Sequence, residues 1–230
     1  MSLLTQLFET GWAKALAPHV SPQQFKILGQ KIAQLRKTTT VYPSKDRVFR
    51  AFELTPFRGV KCVMVGQDPY HDGSADGLAF SASLNLKKLP PSLRLILAEV
   101  DDNYPERKSD ISEGKLDPWD LSRWAEQGVF LTNMSYTVQG GKAGSHTAHW
   151  KEFFKSVVQA LQTKNDIVWL LLGREARNFA PLITNQSHSI IEEAHPAADL
   201  YSGSPKFRGC GCFRRVNEEL DLRNLGEILW

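Results

Sequence analysis

An amide, a carboxylate, a phenol and an imidazole stand within five positions, Gln67-Asp68-Pro69-Tyr70-His71, directly after the apolar run Val63-Met64-Val65-Gly66. A carboxylate beside an imidazole can orient water, take up a proton or face a developing positive charge. Three further polar groups follow apolar runs in the same way. Asn133 comes after Val129–Leu131, Gly173 and Arg174 after Ile167–Leu172, and His195-Pro196 after Ser189–Glu193. Each alone has an ordinary structural reading: Asp68 as a turn cap, Asn133 as an Asx-turn residue, His195 as a satisfied core histidine. Their joint placement is what counts. If the runs are strands of one parallel sheet, all these groups converge on one edge and build a single pocket.

The elements that must position them are legible in the sequence. Val60–Val65, Val129–Leu131, Ile167–Leu172 and Ser189–Glu193 have the length and β-branched content of buried strands, at βαβ-like spacing. Ile167-Val168-Trp169-Leu170-Leu171-Leu172 is apolar on both faces, as a strand covered by helices on each side must be. Ser21-Pro22 reads as N-cap and first residue of a helix reaching Arg36. Asp117-Pro118 repeats that signature before a helix ending near Gly128, and Pro91-Ser92-Leu93 opens a helix to about Asp102. Trp150, Phe153, Phe154, Val157, Val158 and Leu161 follow helical periodicity and form a core face. The polar stretch Asp101–Leu116 reads as a surface loop. The expected fold is α/β: a three-layer α/β/α arrangement with a central four-stranded, mainly parallel sheet.

With 230 residues, 42% hydrophobic and 23% charged, the chain suits one domain over 1–230 with enough core to fold unaided. No apolar run approaches a membrane span, and Met1-Ser2-Leu3-Leu4-Thr5-Gln6 does not have the pattern of a signal peptide. The net charge of +3 permits a polyanionic partner without demanding one, but Lys206, Arg208, Arg214 and Arg215 gather late in the chain. Cys62 sits in an apolar run and reads as a core residue, whereas Cys210 and Cys212 would face opposite ways if extended. Three cysteines without zinc spacing point to a reducing, intracellular setting. The expected location is cytoplasmic, or nuclear or viral-host depending on the source.

Gly66-Gln67-Asp68-Pro69-Tyr70-His71 resembles the water-activating motif of family 1 uracil-DNA glycosylases. Leu78-Ala79-Phe80-Ser81 resembles their base-stacking segment, and Pro90-Pro91-Ser92-Leu93 their proline-rich DNA-contact loop. The stretch from Trp124 to Asn133 resembles the strand that delivers the uracil-reading asparagine, and His195-Pro196 opens a histidine-bearing intercalation loop. The motifs keep the family order from Val41-Tyr42-Pro43 to Asn217.

The resemblance implies an enzyme that flips uracil out of single- or double-stranded DNA and hydrolyses its N-glycosidic bond, leaving an abasic site for base excision repair. It implies that Asp68 and His195 are catalytic, the first at the sugar and the water, the second at uracil O2. Gln67, Tyr70, His71, Phe80 and Asn133 would bind substrate. Phe80 stacks on the ring, Asn133 matches the O4 and N3–H edge that cytosine reverses, and Tyr70 crowds C5 against the thymine methyl. Pro90, Pro91, Ser92, Gly173, Arg174, Leu200, Tyr201, Lys206 and Arg208 would contact DNA. No metal or cofactor is implied. The chain would act as a monomer, away from membranes, and would be open to phage-encoded inhibitor proteins that mimic DNA and grip the intercalation loop.

That loop is where the sequence departs from the family. The usual His-Pro-Ser-Pro-Leu-Ser is replaced by His195-Pro196-Ala197-Ala198-Asp199-Leu200-Tyr201-Ser202, in a loop about two residues longer. Leu200 is the first candidate for the wedge and Tyr201 its rival, Ala197 lacks a hydroxyl, and Asp199 brings a negative charge toward DNA unless it turns away; Lys206 and Arg208 offset it. Arg174 stands where a serine is usual, and the span from His71 to Phe80 is one residue short. Two other readings compete. A DNA-binding scaffold has no need for Asp68, Asn133 and His195 together. A mismatch-directed thymine or uracil glycosylase typically lacks the aspartate and the tyrosine. An iron–sulfur glycosylase needs four cysteines, and the chain has three.

Overall fold

The computed structural model describes residues 7, 10–82, 89–106 and 119–230. In chain order, α1 (Trp12–Leu16) and α2 (Pro22–Thr38) precede β1 (Val41–Tyr42) and α3 (Arg50–Leu54). Then come β2 (Cys62–Gly66), α4 (Pro91–Asn103), α5 (Ser122–Glu126), β3 (Val129–Asn133) and β4 (Val138–Gln139). α6 (Thr147–Leu161), β5 (Val168–Leu172), α7 (Arg174–Arg177), β6 (Ser189–Glu193) and α8 (Cys212–Leu222) complete the chain.

The central sheet has four strands in the order β3-β2-β5-β6 and is parallel throughout. Every residue of β2, β3 and β5 is buried. Since alternate side chains point to opposite faces, both faces of these strands are covered, in keeping with sequences that are apolar apart from Gly66, Thr132 and Asn133. β3 and β6 are the edge strands, and β6 is buried only at Ile191. The chain leaves β2 toward β3 but leaves β5 toward β6, so the connections diverge at the β2–β5 border. That divergence is where wound parallel sheets open a crevice beyond their carboxyl ends. On α6 the six apolar residues of the helical stripe are all buried.

Several boundaries differ from the sequence reading. β2 begins at Cys62 rather than Val60, because Val60 still closes the 3₁₀ turn at Phe57–Gly59, its N–H donating to Phe57 O. β3 runs on to Asn133, so the asparagine is the last strand residue and not the first of a loop. Ser21 caps α2 as expected, its hydroxyl oxygen accepting the Gln24 N–H at 3.4 Å, and the helix continues to Thr38. Asp117-Pro118 lie outside the described residues. Helix α5 opens only at Ser122, whose N–H is accepted by Asp120 Oδ1 at 2.9 Å. Asp101 to Asn103 form the last turn of α4 rather than the start of a loop, and residues 107–116 lie outside the described ones. Cys210 and Cys212 are not in an extended segment: Gly211 (φ 67°) turns the chain and Cys212 opens α8. All three cysteines are free thiols.

Candidate active site

The site is assembled at the carboxyl edge of the sheet. The parallel register sets Gly66 opposite Asn133 and Leu172 opposite Glu193. The residues that follow, Gln67-Asp68 and Gly173, and His195 beyond β6, therefore emerge side by side. The close approaches are severe enough to dictate residue type. A Cβ on Gly66 would lie 2.3 Å from Asn133 Oδ1, and one on Gly173 would lie 2.7 Å from His195 Cβ. Both positions must be glycine for the amide and the imidazole to sit where they do.

Phe80 is held against this edge. Its ring centroid is 6.3 Å from that of His195, and Tyr70 Oη donates to its carbonyl at 3.2 Å. Its backbone is in the left-handed region, φ 64°, a conformation that costs a non-glycine residue roughly 1–3 kcal/mol. A buried network over-determines it. Asp76 accepts the Leu78 N–H at 3.0 Å, the Ser81 hydroxyl at 2.6 Å and the Arg50 guanidinium at 2.7 Å, while the Ala79 N–H donates to Leu131 O on β3 at 3.0 Å.

Electrostatics separate the two candidate catalytic groups. Burial pushes the Asp68 carboxyl above the ordinary carboxylate range, and the Gly144 N–H and nearby His71 only partly counter this. That N–H donates to Asp68 Oδ2 at 2.6 Å and so orients the other oxygen. Burial lowers the pKa of His195, so the ring is neutral at neutral pH. Its Nδ1 accepts the Ala197 N–H at 3.1 Å, which places the ring proton on Nε2. Burial likewise raises the Tyr70 phenol, which stays un-ionised.

The structure thus gathers Gln67, Asp68, Tyr70, Phe80, Asn133, Gly173 and His195 along one edge. Gln67 is exposed, and Gly144 lies near its amide. His71 is exposed, its carbonyl accepting the Gly141 N–H at 2.9 Å. Of the residues read as DNA contacts, Pro91 is exposed and Ser92 half-buried at the start of α4, whereas Pro90 is buried and its carbonyl accepts the Arg94 N–H at 3.0 Å. Arg174 is exposed beside Glu175. Leu200 and Tyr201 project from the loop, the tyrosine 87% exposed. Lys206 is exposed, and the Arg208 guanidinium pairs with Asp102. Asp199 is turned onto the backbone of its own loop, away from the role of a free charge.

The sequence reading missed Gly144, whose only signal was the glycine-rich run Gly140-Gly141-Lys142-Ala143-Gly144. It also missed the Asp76–Arg50 pair, which spans 26 positions with no local pattern. Among the described residues no cluster of three or more His, Cys, Asp or Glu could hold a metal ion.

Fold and site together define an α/β enzyme whose chemistry sits at the carboxyl edge of a parallel sheet, between a half-buried acid and a neutral imidazole. Comparison with known proteins gives the family. Residues 52–221 match the profile of the uracil DNA glycosylase superfamily. A uracil-DNA glycosylase of Oleidesulfovibrio alaskensis is 38% identical over 223 residues, covering 95% of this chain and 94% of that protein. One from Dichelobacter nodosus is 39% identical over 226 residues, covering 96% and 94%. The crystal structure of mimivirus uracil-DNA glycosylase shares the fold, with a TM-score of 0.83 at 24% identity, covering 99% of this chain and 88% of that one. A mimivirus UNG variant in complex with UGI has a TM-score of 0.81 at 25% identity, covering 99% and 90%. The chain belongs to the uracil DNA glycosylase superfamily.

Proposed function

We propose that this protein is a uracil-DNA glycosylase of the family 1 type, hydrolysing the N-glycosidic bond of uracil in DNA to start base excision repair. The observation that carries the reading is the pairing at one sheet edge of a desolvated Asp68 with a His195 whose Nδ1 is occupied as an acceptor. A stacked base is inaccessible, so uracil must be extruded into the crevice. There Phe80 stacks on the ring and the Asn133 amide meets O4 and N3–H. Cytosine reverses that donor–acceptor pattern, and the Tyr70 ring stands against a C5 methyl.

Cleavage leaves positive charge on the sugar and negative charge on the departing uracil. The neutral His195 donates from Nε2 to O2, a contact that strengthens as charge develops there. Asp68, fixed through Oδ2 by Gly144, faces the sugar with its other oxygen and orients or deprotonates the attacking water; its raised pKa makes it the better base. Gln67 and His71 line the approach of that water. DNA is gripped through phosphates by Ser92, the Pro91 turn, Gly173, Arg174 and Lys206, and Leu200 or Tyr201 fills the gap left by the flipped base. UGI, seen bound to the mimivirus variant, is a candidate partner.

The test is an oligonucleotide carrying a single uracil, with matched thymine and cytosine strands, incubated in chelator and then treated with alkali. Cleavage at uracil alone supports the reading. Tight binding without cleavage would favour a scaffold, and equal cleavage at thymine would remove the role given to Tyr70.

A further inference from the structure

The loop between His195 and α8, expected from its sequence to be longer than the family pattern, has its backbone tied down at the far end. Asp199 Oδ1 accepts the N–H of Lys206 at 2.6 Å and of Phe207 at 2.8 Å, and Oδ2 accepts that of Arg208 at 2.9 Å. Phe207 is buried completely and anchors the return of the chain. At the base of the loop a second carboxylate does the same work. Glu99, on α4 and fully buried, accepts the Gly209 N–H at 2.6 Å and the Gly211 N–H at 2.8 Å. The Arg208 guanidinium pairs with Asp102 one turn further along the same helix. Five of the six amides from Lys206 to Gly211 are thus held by two carboxylates. Leu200 and Tyr201 project between the tied points, and α4 begins at Pro91 and Ser92.

A long surface loop that must enter a duplex ordinarily loses conformational entropy as it does so. Here the loop is ordered beforehand. We propose that Asp199 is a positioning residue for base extrusion: its three amide hydrogen bonds hold Leu200 and Tyr201 as a preformed wedge. Glu99 fixes the base of that wedge to the helix carrying the Pro91–Ser92 contact, so wedge and phosphate grip present to DNA as one unit. This rests on the glycosylase reading above, and goes beyond it by assigning the inserted part of the loop a task. Paired uracil needs the wedge, and unpaired uracil does not.

The test compares wild type, Asp199→Ala and Asp199→Asn on uracil in a single strand and on the same strand annealed so that uracil pairs with adenine. Asp199→Ala should lower kcat/KM on the duplex roughly tenfold or more while leaving single-strand turnover essentially unchanged. Asp199→Asn keeps one acceptor oxygen and should fall between. Hydrogen exchange at Lys206, Phe207 and Arg208 should quicken in the alanine variant. Equal losses on both substrates, or an unchanged duplex rate, would overturn the assignment. A wild type that cleaves neither substrate would instead refute the glycosylase reading itself.

Discussion

Asp68 and His195 are both desolvated, and the consequence has opposite sign for each. For Asp68, burial disfavours the charged form, so its folded-state pKa lies above the unfolded one. Stability from this group is fully present below the unfolded pKa and is lost as pH rises through the folded pKa. At neutral pH the ionised carboxylate therefore works against the fold. Asp68→Asn should abolish roughly 10²–10⁴-fold of the rate while Tm at neutral pH holds or rises; a clear fall in Tm would contradict the electrostatic account. For His195, burial favours the neutral ring, and the Ala197 N–H needs an unprotonated Nδ1. His195→Leu should cost roughly 10²–10³-fold in single-turnover rate, the scale of one oxyanion donor. Tyr70→Ala should admit thymine, read as alkali-labile cleavage of a thymine strand that the wild type leaves intact. These residues were legible in the sequence because the chemistry concentrates them in Gln67–His71 and at the ends of apolar runs. Gly144 was not, because it acts through a backbone N–H that any residue but proline possesses.

At the scale of elements, the sheet places chemistry by exclusion as much as by contact. Gly66 closes β2, and its missing Cβ is the space that Asn133 Oδ1 occupies. Gly66→Ala should displace the amide and lower kcat/KM for uracil by roughly the 10²-fold that losing a matched pair of hydrogen bonds implies, with far-UV circular dichroism unchanged. Wild-type kinetics would show that Asn133 does not read the base from this position. Strand existence was readable because β2, β3 and β5 are buried on both faces and carry apolar runs, unbroken in β5, ended by Gly66 in β2 and by Thr132-Asn133 in β3. Strand ends were less so. β3 continues through Thr132 and Asn133 because parallel pairing with Val65 and Gly66, not side-chain polarity, fixes where it stops. The Asp117-Pro118 signature pointed to a helix start, but α5 begins at Ser122, where the carboxylate of Asp120 supplies the bond to the Ser122 amide. The left-handed Phe80 was unreadable locally, since Arg50 and Asp76 hold it from different parts of the chain.

For the whole molecule, a net charge of only +3 leaves attraction to DNA to a few local cations and to backbone amides, not to a general field. Binding should still weaken with salt, because each phosphate contact releases counterions. Arg174→Ala and Lys206→Ala should each flatten the slope of log affinity against log salt by roughly one unit, while Arg208→Ala, whose guanidinium already has Asp102, should flatten it less. Equal slopes for all three would refute that division. Asp68, Asn133 and His195, brought together by register from three strands, are expected to surround one extruded pyrimidine. The direct measurement is a crystal structure of Asp68→Asn bound to a duplex containing one uracil. The account predicts uracil outside the helix, stacked on Phe80, with the Asn133 amide at O4 and N3 and His195 Nε2 at O2. A uracil still stacked in the duplex, or extruded to a place where those side chains do not touch it, would contradict the account.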